Sequence, residues 1–116
     1  MSHVTIYHNP RCSKSRKSLE LVNENATEVS VVEYLKTPPT QIELSLILKK
    51  LNCKARELLR TNEVVYKELA LNNQNLSEDD LIKAMVENPI LMQRPIIING
   101  SRAVIGRPPD NVLAIL

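Results

Sequence analysis

Signals for a strand, a helix and a second strand follow one another between residues 4 and 32. That alternation restricts the possible folds more than any other feature of the chain. "VTIY", residues 4–7, is β-branched and aromatic and predicts a short buried strand that ends at Asn9-Pro10. From Lys14, "KSRKSLELVNENA" carries Leu19, Val22 and Ala26 at helical spacing, so a helix is expected to begin at or just after Cys12. "TEVSVVEYL" then places Val29, Val31 and Val32 in a second strand. Two strands joined through a helix lie parallel, with a right-handed crossover. The N-terminal part is therefore half of a small α/β sheet.

Thr37-Pro38-Pro39 breaks the chain. Beyond it, Leu44, Ile47, Leu48 and Leu51 fall at i, i+3, i+4 and i+7, the stripe of an amphipathic helix. Shorter helices are expected around "KARELLR" and "VVYKELAL". Ser77 with Asp80 three residues on resembles a capping box with Asp in place of the usual Glu. Leu81, Ile82, Met85 and Val86 supply the buried stripe behind it, and Pro89 ends that helix. The character changes at "RPIIINGSRAVIGRPP", where Ile96 to Ile98, then Asn99-Gly100, then Ala103 to Ile105 make the best hairpin signal in the sequence. After Pro108-Pro109, Asp110 to Leu116 is expected to form a terminal helix with Val112, Leu113 and Leu116 toward the core. The fold class is α/β, a four-stranded mixed sheet with flanking helices and a helical insertion between a β-α-β and a β-β-α half.

At 116 residues the chain is near the commonest size for one domain, and residues 1–116 are read as a single domain. Apolar residues at 43% and charged residues at 24% are ordinary for a soluble globular protein. The formal net charge is only +2, so any functional positive charge must be local, and neither nucleic acid nor membrane is indicated as a partner. Three tyrosines without Phe or Trp give no stacking platform for single-stranded nucleic acid. No apolar run approaches the roughly 20 residues needed to cross a bilayer. "MSHVTIYHNP" lacks the basic start and apolar middle of a signal peptide. The expected location is cytoplasmic, where Cys12 and Cys53 would be free thiols.

The stretch "IYHNPRCSKSR" sets a lone cysteine between an apolar run and a cluster of positive charge. The thiolate is the reactive form of cysteine, and a helix N-terminus favours it through free backbone N–H groups and the positive end of the helix dipole. His8, Arg11, Lys14 and Arg16 add local charge or hydrogen-bonding capacity. A helix start of this kind also receives oxyanions. A buried structural cysteine would have apolar neighbours, whereas "RCSKSRKS" is polar. Cys53, in "KKLNCKAREL", has no comparable setting and reads as structural or incidental.

Three comparisons of spacing narrow the chemistry. A thioredoxin-type dithiol needs C-x-x-C, but the fourth position here is Ser15, so no second thiol can resolve a mixed disulfide internally. A small tyrosine-phosphatase loop needs arginine six residues after the cysteine, and residue 18 is serine. Two Cys and two His, scattered, do not suit a structural zinc site, so no metal is expected. A lone activated thiol must be released by an outside thiol, such as glutathione or a glutaredoxin.

With these residues in place, the chain resembles the glutaredoxin-coupled arsenate reductases, a family of thioredoxin-like fold with a helical insertion, and within it a shorter chromosomal branch. The resemblance runs the whole length, through "IYHNPRCSKSR", "EYLKTPPT", "RELLR", "ENPILMQRPI" and "GRPP". It implies a site of Cys12 with three arginines, Arg60, Arg94 and Arg107. Guanidinium groups suit that task because they are always charged and grip a tetrahedral oxyanion through two parallel hydrogen bonds. Arg94 and Arg107 each precede proline, which holds the chain extended. By similarity to thioredoxin folds, Arg94-Pro95 is expected to be cis, placing Arg94 beside the thiol.

The implied activity is reduction of arsenate to arsenite in arsenic detoxification. Cys12 would form a covalent thiol-arsenate adduct, with glutathione as co-substrate, glutaredoxin as partner and no bound cofactor. His8 is a supporting candidate, to lower the thiol pKa or bind nearby backbone. Ser15 is another, to hydrogen-bond the thiolate or satisfy a backbone amide in the first helical turn. Two alternatives stand beside this reading. One is a glutathione-dependent thiol oxidoreductase without an arsenate role, for which C-x-x-S would suffice. The other is a redox regulatory module like the Spx-type regulators, whose C-x-x-C switch Ser15 would remove. The three arginines favour an oxyanion, since a disulfide substrate has none.

Overall fold

The computed structural model describes residues 3–116, which form two compact units. The first comprises the chain up to Thr37 together with Arg94–Leu116, and the second comprises Pro38–Gln93.

In the first unit, β1 (His3–Tyr7), α1 (Ser13–Asn25) and β2 (Glu28–Val32) make the expected β-α-β motif. β1 pairs parallel with β2, Val4 opposite Val29 and Ile6 opposite Val31. On its other side β1 pairs antiparallel with β3 (Ile96–Asn99), which pairs antiparallel with β4 (Arg102–Ile105). The sheet order is β2-β1-β3-β4. Alternation along β1 sends Val4 and Ile6 to one face, where they meet Ile97 from β3, Val22 from α1, and Val112 and Ile115 from the C-terminal segment. Burial of these branched side chains is the main force closing the unit.

Three details of this unit differ from expectation. The hairpin turns at Gly100-Ser101, because Asn99 still pairs with Arg102 inside the ladder. Gly100, at φ 63°, takes the positive φ that the first turn residue needs. The last helix, Pro109–Ile115, is a 3₁₀ helix. Its repeat of three buries Val112 and Ile115 and leaves Leu113 51% exposed, where an α-helical spacing predicts Leu113 inside; Leu116 packs partly buried against the core, as expected. Finally, α1 buries Ser15 and Ser18 along with Val22, so two of its three buried residues are polar.

The second unit is helical. It contains α2 (Gln41–Leu51), α3 (Ala55–Leu58), α4 (Val64–Glu68), α5 (Glu78–Glu87) and a 3₁₀ turn at Pro89–Leu91. Thr40 opens α2 with a full capping box, its hydroxyl accepting from the Glu43 N–H while the Glu43 carboxylate accepts from the Thr40 N–H. Ser77 and Asp80 do the same for α5, as the sequence predicts. Leu44, Ile47 and Leu48 of α2 and Leu81, Ile82 and Met85 of α5 are buried. An isolated bridge joins Leu59 to Met92. No helix among the described residues is long and apolar enough to cross a membrane.

Candidate active site

The end of β1 feeds directly into a tight turn. The Cys12 N–H donates to the Asn9 carbonyl at 3.0 Å, closing a turn with Pro10 at its second position. The Asn9 side chain reinforces it by accepting from the Arg11 N–H at 3.0 Å. Asn and Pro in those positions are an ordinary turn signature, so the strand end expected at Asn9-Pro10 is also the start of a turn. Cys12 then becomes the N-cap residue of α1, with extended backbone at φ −95°.

The thiol is half-buried. Burial alone would raise its pKa. The Ser15 backbone N–H, the Arg94 guanidinium and the Lys14 backbone N–H, all turned toward the sulfur, more than offset it and hold the thiol below its ordinary value of 9.0. Cys53 is the opposite case. Burial, then the carboxylates of Glu57 and Glu78, push its thiol up. Both cysteines are free.

Arg94 thus lies beside Cys12, and its bond to Pro95 is cis. Its Nε and Nη1 atoms are buried and have no hydrogen-bond partner among the described residues. Arg107, also followed by a cis proline, donates from Nη1 to the Arg94 carbonyl at 3.2 Å. The first unit therefore links Cys12, Arg94 and Arg107 in one chain of contacts. Arg60 belongs to the second unit. There its N–H donates to the Leu91 carbonyl at 2.7 Å, and its Nε donates to the Glu63 carboxylate at 3.0 Å.

His8 and Ser15 are buried against each other, with Nδ1 and Oγ sharing a hydrogen bond at 2.6 Å. The Ser15 hydroxyl also accepts from the Asn9 N–H at 3.0 Å. The Ser15 hydroxyl thus satisfies a backbone amide, but the one of Asn9 ahead of the helix rather than one in the first helical turn. The Ser15 backbone N–H, rather than its hydroxyl, faces the thiol. Burial lowers the His8 pKa and outweighs the attraction of Glu33, while Arg16 lowers it further, so the ring is neutral at neutral pH. Sequence reasoning passed over Ser18 and Gly106. The buried Ser18 hydroxyl donates to the Gly106 carbonyl at 3.4 Å across 88 residues of chain, a distance in sequence that no local pattern reports.

A thioredoxin-like sheet with one thiol, not a dithiol, at the start of its first helix defines the class. The chain belongs to the ArsC family, which its residues 7–115 match. The uncharacterized protein YfgD of Escherichia coli strain K12 is 54% identical to it, over 97% of this chain and 96% of that protein. An arsenate reductase of Neisseria meningitidis serogroup B is 44% identical over the full length of both. Among solved structures, an arsenate reductase from Vibrio cholerae matches with a TM-score of 0.95 at 43% identity, covering 99% of this chain and 98% of that one.

Proposed function

We propose that the protein is an arsenate reductase in which Cys12 is the nucleophile and Arg94 and Arg107 bind the oxyanion. The observation that carries the reading is the placement of the Arg94 guanidinium against a thiol already biased toward the thiolate. Two guanidinium nitrogens buried without an acceptor are costly, and an anion seated against them would relieve that cost. Arsenate is such an anion, and it is what the reductases similar to this chain are named for. Arg60 is assigned as a third anion-binding arginine on the family resemblance.

The Cys12 thiolate attacks arsenic and an oxygen departs as water after protonation, leaving an As–S bond. The arginines stabilise charge that builds on the remaining oxygens. A glutathione thiolate then attacks the Cys12 sulfur, and the As–S electron pair leaves with arsenic. Arsenic falls from +5 to +3 as the two thiols become a mixed disulfide, and arsenite is released. With only a serine at position 15, a glutaredoxin thiol must cleave that disulfide to regenerate Cys12. Dependence on glutathione places the reaction in the cytoplasm.

The test is NADPH consumption by purified protein with glutathione, glutathione reductase and a glutaredoxin, with and without arsenate, alongside Cys12→Ser. Arsenate-dependent turnover yielding arsenite, absent in the variant, is expected. Glutathione-disulfide exchange at Cys12 with no arsenate dependence would replace this reading with a plain thiol oxidoreductase.

A further inference from the structure

Gly106 has no room for a side chain. A Cβ placed there would overlap the Ser18 hydroxyl, sit 2.8 Å from Cγ of Pro95 and lie 3.2 Å from Cδ1 of Ile97. Ser18 is fully buried, and the Pro95 ring is closed and buried too, so neither neighbour is the loose end of a flexible chain. Relief would have to come from backbone movement.

The backbone around Gly106 holds Arg94 and Arg107, the two arginines of the first unit read as anion-binding. The Gly106 N–H donates to the Pro95 carbonyl at 2.9 Å, fastening the residue that follows Arg94. The Arg107 N–H folds back to the Ile105 carbonyl at 2.9 Å, so the chain turns sharply about Gly106 as it enters Arg107. Asn111 Nδ2 bonds the carbonyls of Ile105 and Arg107 at 3.3 and 3.2 Å, clamping that turn from the far side. Ser18 contributes the remaining contact, from the helix whose first turn faces the Cys12 sulfur.

We propose that Ser18 and Gly106 form a close-packed brace that sets the distance between α1, which carries Cys12, and the chain segments that carry Arg94 and Arg107. Gly106 is then a positioning residue that acts through the two arginines. This rests on reading Cys12 and those arginines as the oxyanion site. The role needs the absence of a side chain, since a displacement of a few tenths of an ångström at Pro95 would be carried into Arg94. Hydrogen bonds to a sulfur or an oxyanion depend on direction as well as distance, and weaken steeply once the N–H is tilted away from its acceptor.

The experiment compares wild type, Gly106→Ala, Ser18→Ala and the double variant. The rate of Cys12 alkylation by iodoacetamide is followed against pH by mass spectrometry, without arsenate or glutathione, and folding is checked by circular dichroism. The groups that set this midpoint are the Arg94 guanidinium and the N–H groups of Lys14 and Ser15. Gly106→Ala is expected to raise the midpoint by about half to one pH unit, slowing alkylation at neutral pH about three- to tenfold through loss of thiolate. Ser18→Ala should give a smaller rise of the same sign. If both act through one contact, the double variant should show no larger rise than Gly106→Ala alone.

An unchanged midpoint in folded Gly106→Ala, or shifts that simply add in the double variant, would overturn the brace. Should Gly106→Ala fail to fold, Ser18→Ala decides, because a raised midpoint supports the brace and an unchanged one overturns it. Alkylation needs no arsenate. A midpoint that responds in a protein without arsenate turnover would therefore keep the brace and remove the substrate.

Discussion

Arg107 Nη1 donates to the carbonyl oxygen of Arg94 at 3.2 Å, so one arginine holds the backbone of the other. Of the two, it is Arg94 that has its guanidinium against the Cys12 thiol. The two substitutions should therefore separate. Arg94→Ala is expected to cost about 10²-fold or more in arsenate turnover, as loss of one preorganised donor does elsewhere, and to raise the alkylation midpoint of Cys12. Arg107→Ala should lower kcat/KM with a smaller change in that midpoint. Steady-state kinetics and pH-dependent alkylation on the same preparations check both. An unchanged midpoint in Arg94→Ala would show that Arg94 does not tune the thiol.

The two cysteines are set in opposite directions, and their reactivities should follow. Backbone N–H groups and Arg94 hold Cys12 below 9.0 despite its burial, while burial and two glutamates push Cys53 above it. At neutral pH, limiting iodoacetamide should label Cys12 and leave Cys53 almost unmodified, as resolved by peptide mass spectrometry. Glu57→Gln with Glu78→Gln should speed labelling at Cys53, since removing nearby negative charge lowers the cost of the thiolate. Faster labelling of Cys53 than Cys12 in the wild type would contradict both assignments.

The local parts of this site were legible in the sequence, and its non-local parts were not. A β-branched strand, Asn-Pro and the start of an amphipathic helix are near neighbours, so the position of Cys12 at a helix start follows from short-range pattern. Ser18 lies in "RKSLE", where a serine reads as solvent-facing, and only the return of the chain at Gly106 explains its burial. The approach of Arg94 to Cys12 likewise depends on β3 pairing with β1, and it was expected from family resemblance rather than from spacing. The misplaced side of Leu113 in the last segment has a local cause. Apolar residues at 112, 113, 115 and 116 suit either helical repeat, and the chain takes the tighter one.

His8 should make stability depend on pH. Its pKa in the folded chain lies below the ordinary value of 6.5, so the fold binds fewer protons than the unfolded chain between the two values. The contribution of its neutral form is fully present above 6.5 and is lost as pH falls through the folded value. Urea unfolding of the wild type should thus weaken on acidification below neutrality. His8→Asn, which cannot titrate, should be less stable near neutral pH but lose less stability as acid is added. Parallel pH profiles for the two proteins would remove His8 from this role.

Arg60 poses a question that its own surroundings allow to be tested. Its Nε is taken by the Glu63 carboxylate at 3.0 Å, and both side chains are only about a quarter exposed or less, so the pair orients the guanidinium and leaves its Nη groups as the available donors. If Arg60 binds the oxyanion, Arg60→Ala should lower kcat/KM for arsenate by about tenfold or more, as loss of a charge-assisted contact does. Glu63→Gln keeps an acceptor for Nε and should stay within a few-fold of wild type. If Arg60 serves only its ion pair, both variants should lose stability and neither should lose kcat/KM. Urea midpoints and arsenate kinetics on the two variants separate the cases, because ground-state packing moves the first and anion binding the second.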